Sequence, residues 1–314
     1  MTVKVAVVQA PPVLLDRAAT ISNMLRHLAD QAAAGTKLVV FPEAYIPGYP
    51  TWVWRLKPGG DMALAGEIHA RLREQAVDVA RGDLKPITET AMHHELTIVC
   101  GLHEIDSEFS GTTLFNTVVV IGPDGVILNR HRKLVPTNPE RMVWGRGDAR
   151  GLRVVETPVG RIGCLMCWET YMPLARYALY AQNLEVLVAP TWDCGEEWVL
   201  SMRHIAREGG CWVIATGTAI QAGDVPKSFP RRDSLFSKDD EWLCDGGALI
   251  VRPFGKIEAG PLNRAKTILV SDIDPSVAPQ SRRSLDVTGH YARPDIFRLQ
   301  VNRAPMPPVE FKDS

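Results

Sequence analysis

The chain has 314 residues, a formal net charge of -1 and 46% hydrophobic residues, a balance that suits a soluble globular protein with a sizeable core. Charge near zero gives no reason to expect nucleic acid or an anionic membrane as partner. No apolar run approaches the roughly 20 residues that span a bilayer, and the first nine residues read as a strand and not as a leader, so a cytoplasmic protein is expected.

Residues 3–9 are β-branched and apolar and read as a buried strand. Ala18, Ile21, Met24, Leu25, Leu28 and Ala32 then recur at helical spacing, and Gly35 closes the helix. A second apolar strand, 37–41, ends at Pro42-Glu43 and completes a βαβ unit. The prolines and glycine of 44–50 forbid continued regular structure. The spacing predicts helices over 61–81 and 84–95, and strands over 96–105 and 114–121. Gly122-Pro123-Asp124-Gly125 is a hairpin turn into a strand over 126–130. Residues 131–148 are polar and weakly periodic, a long ordered loop of the kind that usually carries function.

Strands over 152–156 and 161–166 pair across 157–160. Helix 170–182, strand 185–189, helix 196–208 and strand 211–217 follow, with further strands at 247–252 and 267–272. Hairpins interrupt the strand–helix alternation, which excludes a plain doubly wound sheet and favours mixed α/β sheets covered by helices. No linker divides the sequence, so residues 1–314 read as one domain with a C-terminal arm from about 274.

Three stretches hold residue types suited to chemistry. Cys167 stands where an apolar run gives way to an amphipathic one, a thiol at a strand-to-helix junction. A free thiol has a pKa of about 8.5, so as a nucleophile it needs a base or a cation beside it. Glu43 sits at the carboxyl end of a buried strand, where open sheets hold ligands; a helix cap or a structural ion pair would also place a carboxylate there. Lys133 reads by itself as a solvated basic edge, but an ordered loop with Glu140 and Arg141 follows it directly. Thiol, carboxylate and ammonium together point to a cysteine hydrolase.

Cys164 and Cys167 also form a C-x-x-C. Zinc would need a second close pair or histidines at finger spacing, and Cys194, Cys211 and Cys244 offer neither. A redox pair normally opens a helix, whereas Cys164 lies in a strand and, three residues from Cys167, points to the other face. No Gly-x-Ser-x-Gly, phosphate loop, His-Glu-x-x-His or EF-hand loop occurs. Tyr49, Trp52, Trp54, Trp144, Trp168 and Trp192 could build an aromatic cleft wall, with Trp168 beside the thiol and Trp144 in the long loop the better placed.

In combination these stretches resemble the nitrilase branch of the carbon–nitrogen hydrolase superfamily. Phe41-Pro42-Glu43-Ala44-Tyr45-Ile46-Pro47-Gly48-Tyr49-Pro50 is similar to that family's first signature. His131-Arg132-Lys133-Leu134-Val135-Pro136-Thr137 with Glu140-Arg141 resembles the second, and Cys167-Trp168-Glu169 with Pro173 and Arg176 the third. Asp286-Val287-Thr288-Gly289-His290-Tyr291-Ala292-Arg293-Pro294-Asp295 resembles a C-terminal stretch common among nitrilases. The four lie in the family's order and span nearly the whole chain.

The resemblance implies a four-layer α-β-β-α sandwich with two mixed sheets, paired into a homodimer or larger homo-oligomer through helices flanking the thiol. It implies Cys167 as nucleophile, Glu43 as general base, Lys133 as the cation that stabilises the tetrahedral intermediate and Glu140 as a second carboxylate orienting Lys133. Glu169 would be structural. The expected substrate is a small nitrile, hydrolysed to carboxylate and ammonia without a cofactor or metal. Thr170, where Asn or His is expected, and Cys164, at a position usually small or amide-bearing, depart from the pattern and bear on substrate preference. An amidase or carbamoylase, or a nitrile- or cyanide-hydrating enzyme, would use the same three residues. Trp168-Glu169 after the thiol argues against an amidase.

Overall fold

The computed structural model describes residues 2–57, 59–305, 307–310 and 312. Burial along the strands dictates the layering. In β1 (Val3–Val8), Val5 and Val7 face one way and Ala6 and Val8 the other, and all four are fully buried. A strand covered on both faces has to lie inside a multilayer fold.

The first sheet holds β1, β2 (Leu38–Val40), β3 (Thr97–Ile105), β4 (Leu114–Ile121) and β5 (Ile127–Arg132), in that order. β1 to β3 run parallel, and β4 and β5 follow as antiparallel hairpins. The second sheet is built from β6 (Val155–Thr157), β7 (Gly160–Cys164), β8 (Val186–Pro190), β9 (Trp212–Thr216), β10 (Ala219–Gln221), β11 (Trp242–Val251) and β12 (Ile257–Asn263). Its order is β10-β11-β9-β8-β7-β6, with β12 also on β11 and β7 to β9 parallel. The chain then returns to the first sheet as β13 (Ile268–Ile273), antiparallel to β1.

Val5, Val7, Leu38, Val40 and Val99 of the first sheet meet Ile162, Cys164, Val186, Val188 and Ile214 of the second. On its far side the first sheet carries α1 (Arg17–Ala33) and, beyond α2 (Met62–Gln75) in sequence, α3 (Lys85–His94), through Met24, Leu28, Ile87 and Ala91. The second sheet carries α4 (Pro173–Tyr180) and α5 (Glu196–Gly209), through Leu179, Trp198, Met202 and Ile205. The result is the expected α-β-β-α sandwich of two mixed sheets. A fourth cluster packs α2 with the loops around Tyr49, Trp52, Trp144 and Phe229.

Several element bounds differ from the sequence pattern. The predicted helix 61–81 stops at Gln75, because Val77 bridges to Glu104 of β3 and leaves the helical path. The predicted helix 170–182 becomes a 3₁₀ turn (Cys167–Tyr171) followed by α4, since Pro173 is suited to open a helix and not to continue one. Strands β10 and β12 carry no clear alternation; β12 holds Gly260 and Pro261, is largely uncovered and reads as loop. β11 begins at Trp242, five residues before the predicted 247. Residues 131–148 are ordered around a 3₁₀ turn (Asn138–Met142), and His131 and Arg132 belong to β5.

Cys164 is fully buried between the sheets, and burial pushes its thiol well above the ordinary range. Among the described residues no helix is long and apolar enough to cross a membrane.

Candidate active site

Glu43 leaves the carboxyl end of β2 in a sharp turn whose next residue, Ala44, has a φ of 50°. Such a turn needs room beneath it, and Gly101 of β3 supplies it. A Cβ at Gly101 would stand 2.3 Å from Pro42 O and 2.8 Å from Glu43 Cα, closer than atoms can approach. Gly101→Ala is therefore expected to displace Glu43 and cut kcat/KM by about 10²-fold or more in a protein that still folds. Unchanged kinetics with the variant's melting temperature also unchanged would contradict this placement.

Lys133 follows β5, its N–H held by Asn116 O at 2.7 Å. Its side chain is buried, and Nζ donates to Glu43 Oε1 at 2.7 Å and to Glu140 Oε2 at 2.8 Å. Glu140 comes from the 3₁₀ turn of the long loop. It also accepts the Thr137 N–H at 2.7 Å and the Tyr49 hydroxyl at 2.7 Å. Asn116 Nδ2 donates to the same Glu43 Oε1 at 2.7 Å. Glu43 Oε1 is thus doubly occupied, while Glu43 Oε2 is buried with no hydrogen-bond partner among the described residues.

Cys167 opens its 3₁₀ turn with a φ of 50°, in the left-handed region that a non-glycine residue enters only when its surroundings over-determine it. Glu169 supplies much of that restraint. Its carboxylate accepts the Met166 N–H (2.7 Å), the Leu134 N–H (3.0 Å) and His131 Nε2–H (2.8 Å). The residue before Cys167 is so tied to the residue after Lys133. Thr170 closes the turn by donating to Cys167 O at 2.7 Å, and Arg176 donates to Thr170 O at 2.8 Å. The Thr191 hydroxyl hydrogen-bonds the Cys167 thiol.

Electrostatics follow from burial. Burial raises the Glu43 carboxyl to about 7, with the Lys133 charge opposing and the Glu140 charge adding to the rise. Burial works against the Lys133 charge, but Glu43, Cys167 and Glu140 outweigh it and hold the ammonium protonated. Burial, and then the Glu43 charge, push the Cys167 thiol up to about 12, with Lys133 pulling the other way. Glu169 is the reverse case: burial disfavours its charge, yet His131 and the two backbone N–H groups hold it below the usual range.

The thiol opens onto a cavity of about 190 Å³ lined by Tyr49, Trp54, Thr137, Glu140, Cys167, Trp168, Trp192 and Asp193. Tyr49 and Trp192 stack with centroids 4.2 Å apart, and Trp168 is 48% exposed at the rim. Trp144 is not on the wall. It is buried behind Tyr49, edge-on at 5.8 Å, because His103 captures its indole: Trp144 Nε1 donates to His103 Nδ1 at 3.0 Å. His103 Nε2 then donates to Gly48 O at 2.9 Å, the neutral tautomer that burial enforces by lowering its pKa to about 3. Trp52 is likewise core.

Asn116, Thr191 and Asp193 escaped the sequence reading. Only Asn116 left a signal, a strand-averse amide in the middle of the apolar run of β4. No group of three or more His, Cys, Asp and Glu among the described residues is disposed to hold a metal ion.

Residues 4–283 match the family model described as carbon-nitrogen hydrolase. The chain belongs to the carbon–nitrogen hydrolase family. It is 39% identical over 303 residues to an aliphatic nitrilase of Sinorhizobium fredii, covering 96% of both chains. It is 38% identical over 317 residues to a bifunctional nitrilase/nitrile hydratase, NIT4A, of Lupinus angustifolius, covering 99% of this chain and 89% of the relative. The carbon–nitrogen hydrolase of Helicobacter pylori G27 superposes with a TM-score of 0.70 at 21% identity, over 94% of this chain and 97% of the other, a likeness of fold. This hydrolase acts on carbon–nitrogen bonds, and relatives such as the aliphatic nitrilase of Sinorhizobium fredii and nitrilase 3 of Arabidopsis thaliana carry the nitrilase name.

Proposed function

We propose that this hydrolase is a nitrilase that converts a small organic nitrile to its carboxylic acid and ammonia, with Cys167 as nucleophile, Glu43 as general base, Lys133 as stabilising cation and Glu140 as the carboxylate that orients Lys133. The nitrilase names of the relatives support the substrate class. The roles rest chiefly on Glu43, whose Oε1 is occupied by Lys133 and Asn116 while Oε2 stays buried and unpartnered, and whose charge acts on the Cys167 thiol.

At neutral pH the thiol is protonated, so attack and proton transfer are coupled. The Cys167 sulfur bonds to the nitrile carbon as its proton passes to Glu43. Charge growing on the substrate nitrogen is met by Lys133 and by the Trp168 N–H, which lies in the first turn of its 3₁₀ helix where no intrahelical acceptor precedes it. Glu43 returns the proton to nitrogen, giving a thioimidate. Water, deprotonated by Glu43, adds to that carbon; the nitrogen leaves as ammonia and a thioester remains. A second water releases the acid and the thiol.

Because the base is active only when ionised, kcat/KM is expected to fall as pH drops through about 7, the value to which burial raises Glu43. An acidic limb centred in the ordinary carboxylate range near 4 would exclude Glu43 as that base.

We read residues 1–314 as one domain with an arm from about 274, assembling as a cytoplasmic homo-oligomer. Exposed Leu174, Tyr291, Ile296 and Phe297, grouped around one groove, support assembly through α4 and the arm. The activity is tested with aliphatic, aromatic and arylacetic nitriles and their matching amides, measuring acid, amide and ammonia. Acid equimolar with ammonia from nitriles is the expected result. Turnover of amides alone would make the protein an amidase, and amide as the main product from nitriles a hydratase.

A further inference from the structure

Asp193 is a wall residue that the proposed mechanism leaves unused. It lies in the loop between β8 and α5, directly after Trp192, and lines the same cavity as Cys167. Its N–H donates to the Thr191 hydroxyl at 2.8 Å, and that hydroxyl also touches the Cys167 thiol. The carboxylate is thereby fixed in position close to the reacting group.

Its partners are all neutral. Trp168 Nε1 donates to Oδ2 at 2.9 Å, Tyr171 OH to Oδ2 at 3.4 Å and the Gly195 N–H to Oδ1 at 3.2 Å. A carboxylate can accept about four hydrogen bonds, so one accepting position stays open. Among the described residues Asp193 has no ion pair, whereas Glu108, Asp148, Glu208 and Glu241 each face a guanidinium. Among the described residues no Lys, Arg or His lines the cavity, and the Lys133 ammonium is already shared between Glu43 and Glu140. Besides Thr137, Cys167 and Glu140, whose charge is met by Lys133, the wall is made of aromatics (Tyr49, Trp54, Trp168, Trp192), and such faces also attract cations.

We propose that Asp193 is a specificity-determining residue that selects nitriles bearing an ammonium group a few bonds from the nitrile carbon and rejects nitriles bearing a carboxylate. This rests on the nitrilase reading for its substrate class. The cavity volume of about 190 Å³ confines the choice to compact molecules, short enough for one end to meet Cys167 and the other Asp193.

Binding separates this proposal from the activity. In Cys167→Ala protein, which does not consume ligand, calorimetry compares γ-aminobutyronitrile with pentanenitrile, its neutral counterpart of equal non-hydrogen atom number, and with anionic β-cyanopropionate. The ammonium nitrile is expected to bind about tenfold more tightly than the neutral one, with an advantage that shrinks as salt is raised. In the Cys167→Ala, Asp193→Asn double variant the advantage should fall to about twofold or less, and the anion should gain. Asn keeps an oxygen for Trp168, so the wall retains its shape. The same ranking of the three ligands with and without the Asp193 charge would overturn the proposal. The ratio of kcat/KM for ammonium over neutral nitrile, with Asp193 and with Asn, reports the same selection in active protein. Charge-dependent binding without turnover of any nitrile would remove the nitrilase reading alone, and turnover with a ratio indifferent to Asp193 would remove the selection alone.

Discussion

Cys167→Ala is expected to lower nitrile hydrolysis at least about 10⁴-fold, to the background of the assay, while leaving the fold intact. The proposed route has no bond-forming step without the sulfur, so nothing remains to share the loss. The substitution itself is mild for the structure. Cys167 lines the cavity and belongs to none of the four hydrophobic clusters, and the turn that carries it is held by Glu169, Thr170 and Arg176 and not by the thiol. Alanine at a φ of 50° carries the same backbone strain as cysteine. Steady-state ammonia release with a melting curve on the same sample checks both halves. Turnover within about tenfold of the parent would remove Cys167 from the chemistry.

Glu43→Gln carries the second large effect, a loss of about 10²- to 10⁴-fold in kcat, the usual range for a general base. Gln keeps an oxygen where Asn116 and Lys133 donate, and it places an N–H₂ where the unpartnered Oε2 stood. The proton acceptor is gone but the shape is kept. The Lys133 charge is not stranded, because Glu140 still pairs with it at 2.8 Å. Removing Lys133 instead would leave two carboxylates buried without their cation, a change of the kind that costs about 3–5 kcal/mol. Kinetics joined to thermal melts separate the two cases. An unfolded Glu43→Gln protein would make Glu43 a structural carboxylate, and a folded, active one would assign the base elsewhere.

Glu43, Lys133 and Cys167 were legible in the sequence as candidates because each stands just past the end of a strand, whereas Glu140 lies in the loop turn that follows Lys133. Glu43 follows β2, Lys133 follows β5 and Cys167 lies just beyond β7, so sheet geometry brings them to one place despite their separation in the chain. Strands such as β1 and β8 were equally plain, since burial on both faces leaves an unbroken apolar run. The stacking of two sheets was not visible in any pattern and came only from the resemblance. β12 stayed hidden because an uncovered strand with Gly260 and Pro261 has the composition of a loop. The wall of the cavity was harder still. Trp144 and Trp168 look alike as loop aromatics, and what separates them is a partner far away in sequence: His103 draws Trp144 inward, whereas Asp193 holds Trp168 at the rim. Asp193 itself, followed by Cys194 and Gly195 ahead of α5, has the look of an ordinary helix approach.

The central claim is a covalent bond between Cys167 and the substrate carbon. It is tested most directly by quenching the enzyme in acid during turnover of a slowly hydrolysed nitrile and weighing its proteolytic peptides. The expected result is an acyl or imidoyl mass on the peptide that contains Cys167, formed within one turnover and absent from Glu43→Gln protein. An adduct on Cys194 or another cysteine, or full turnover with no adduct and with activity retained in Cys167→Ala, would contradict it.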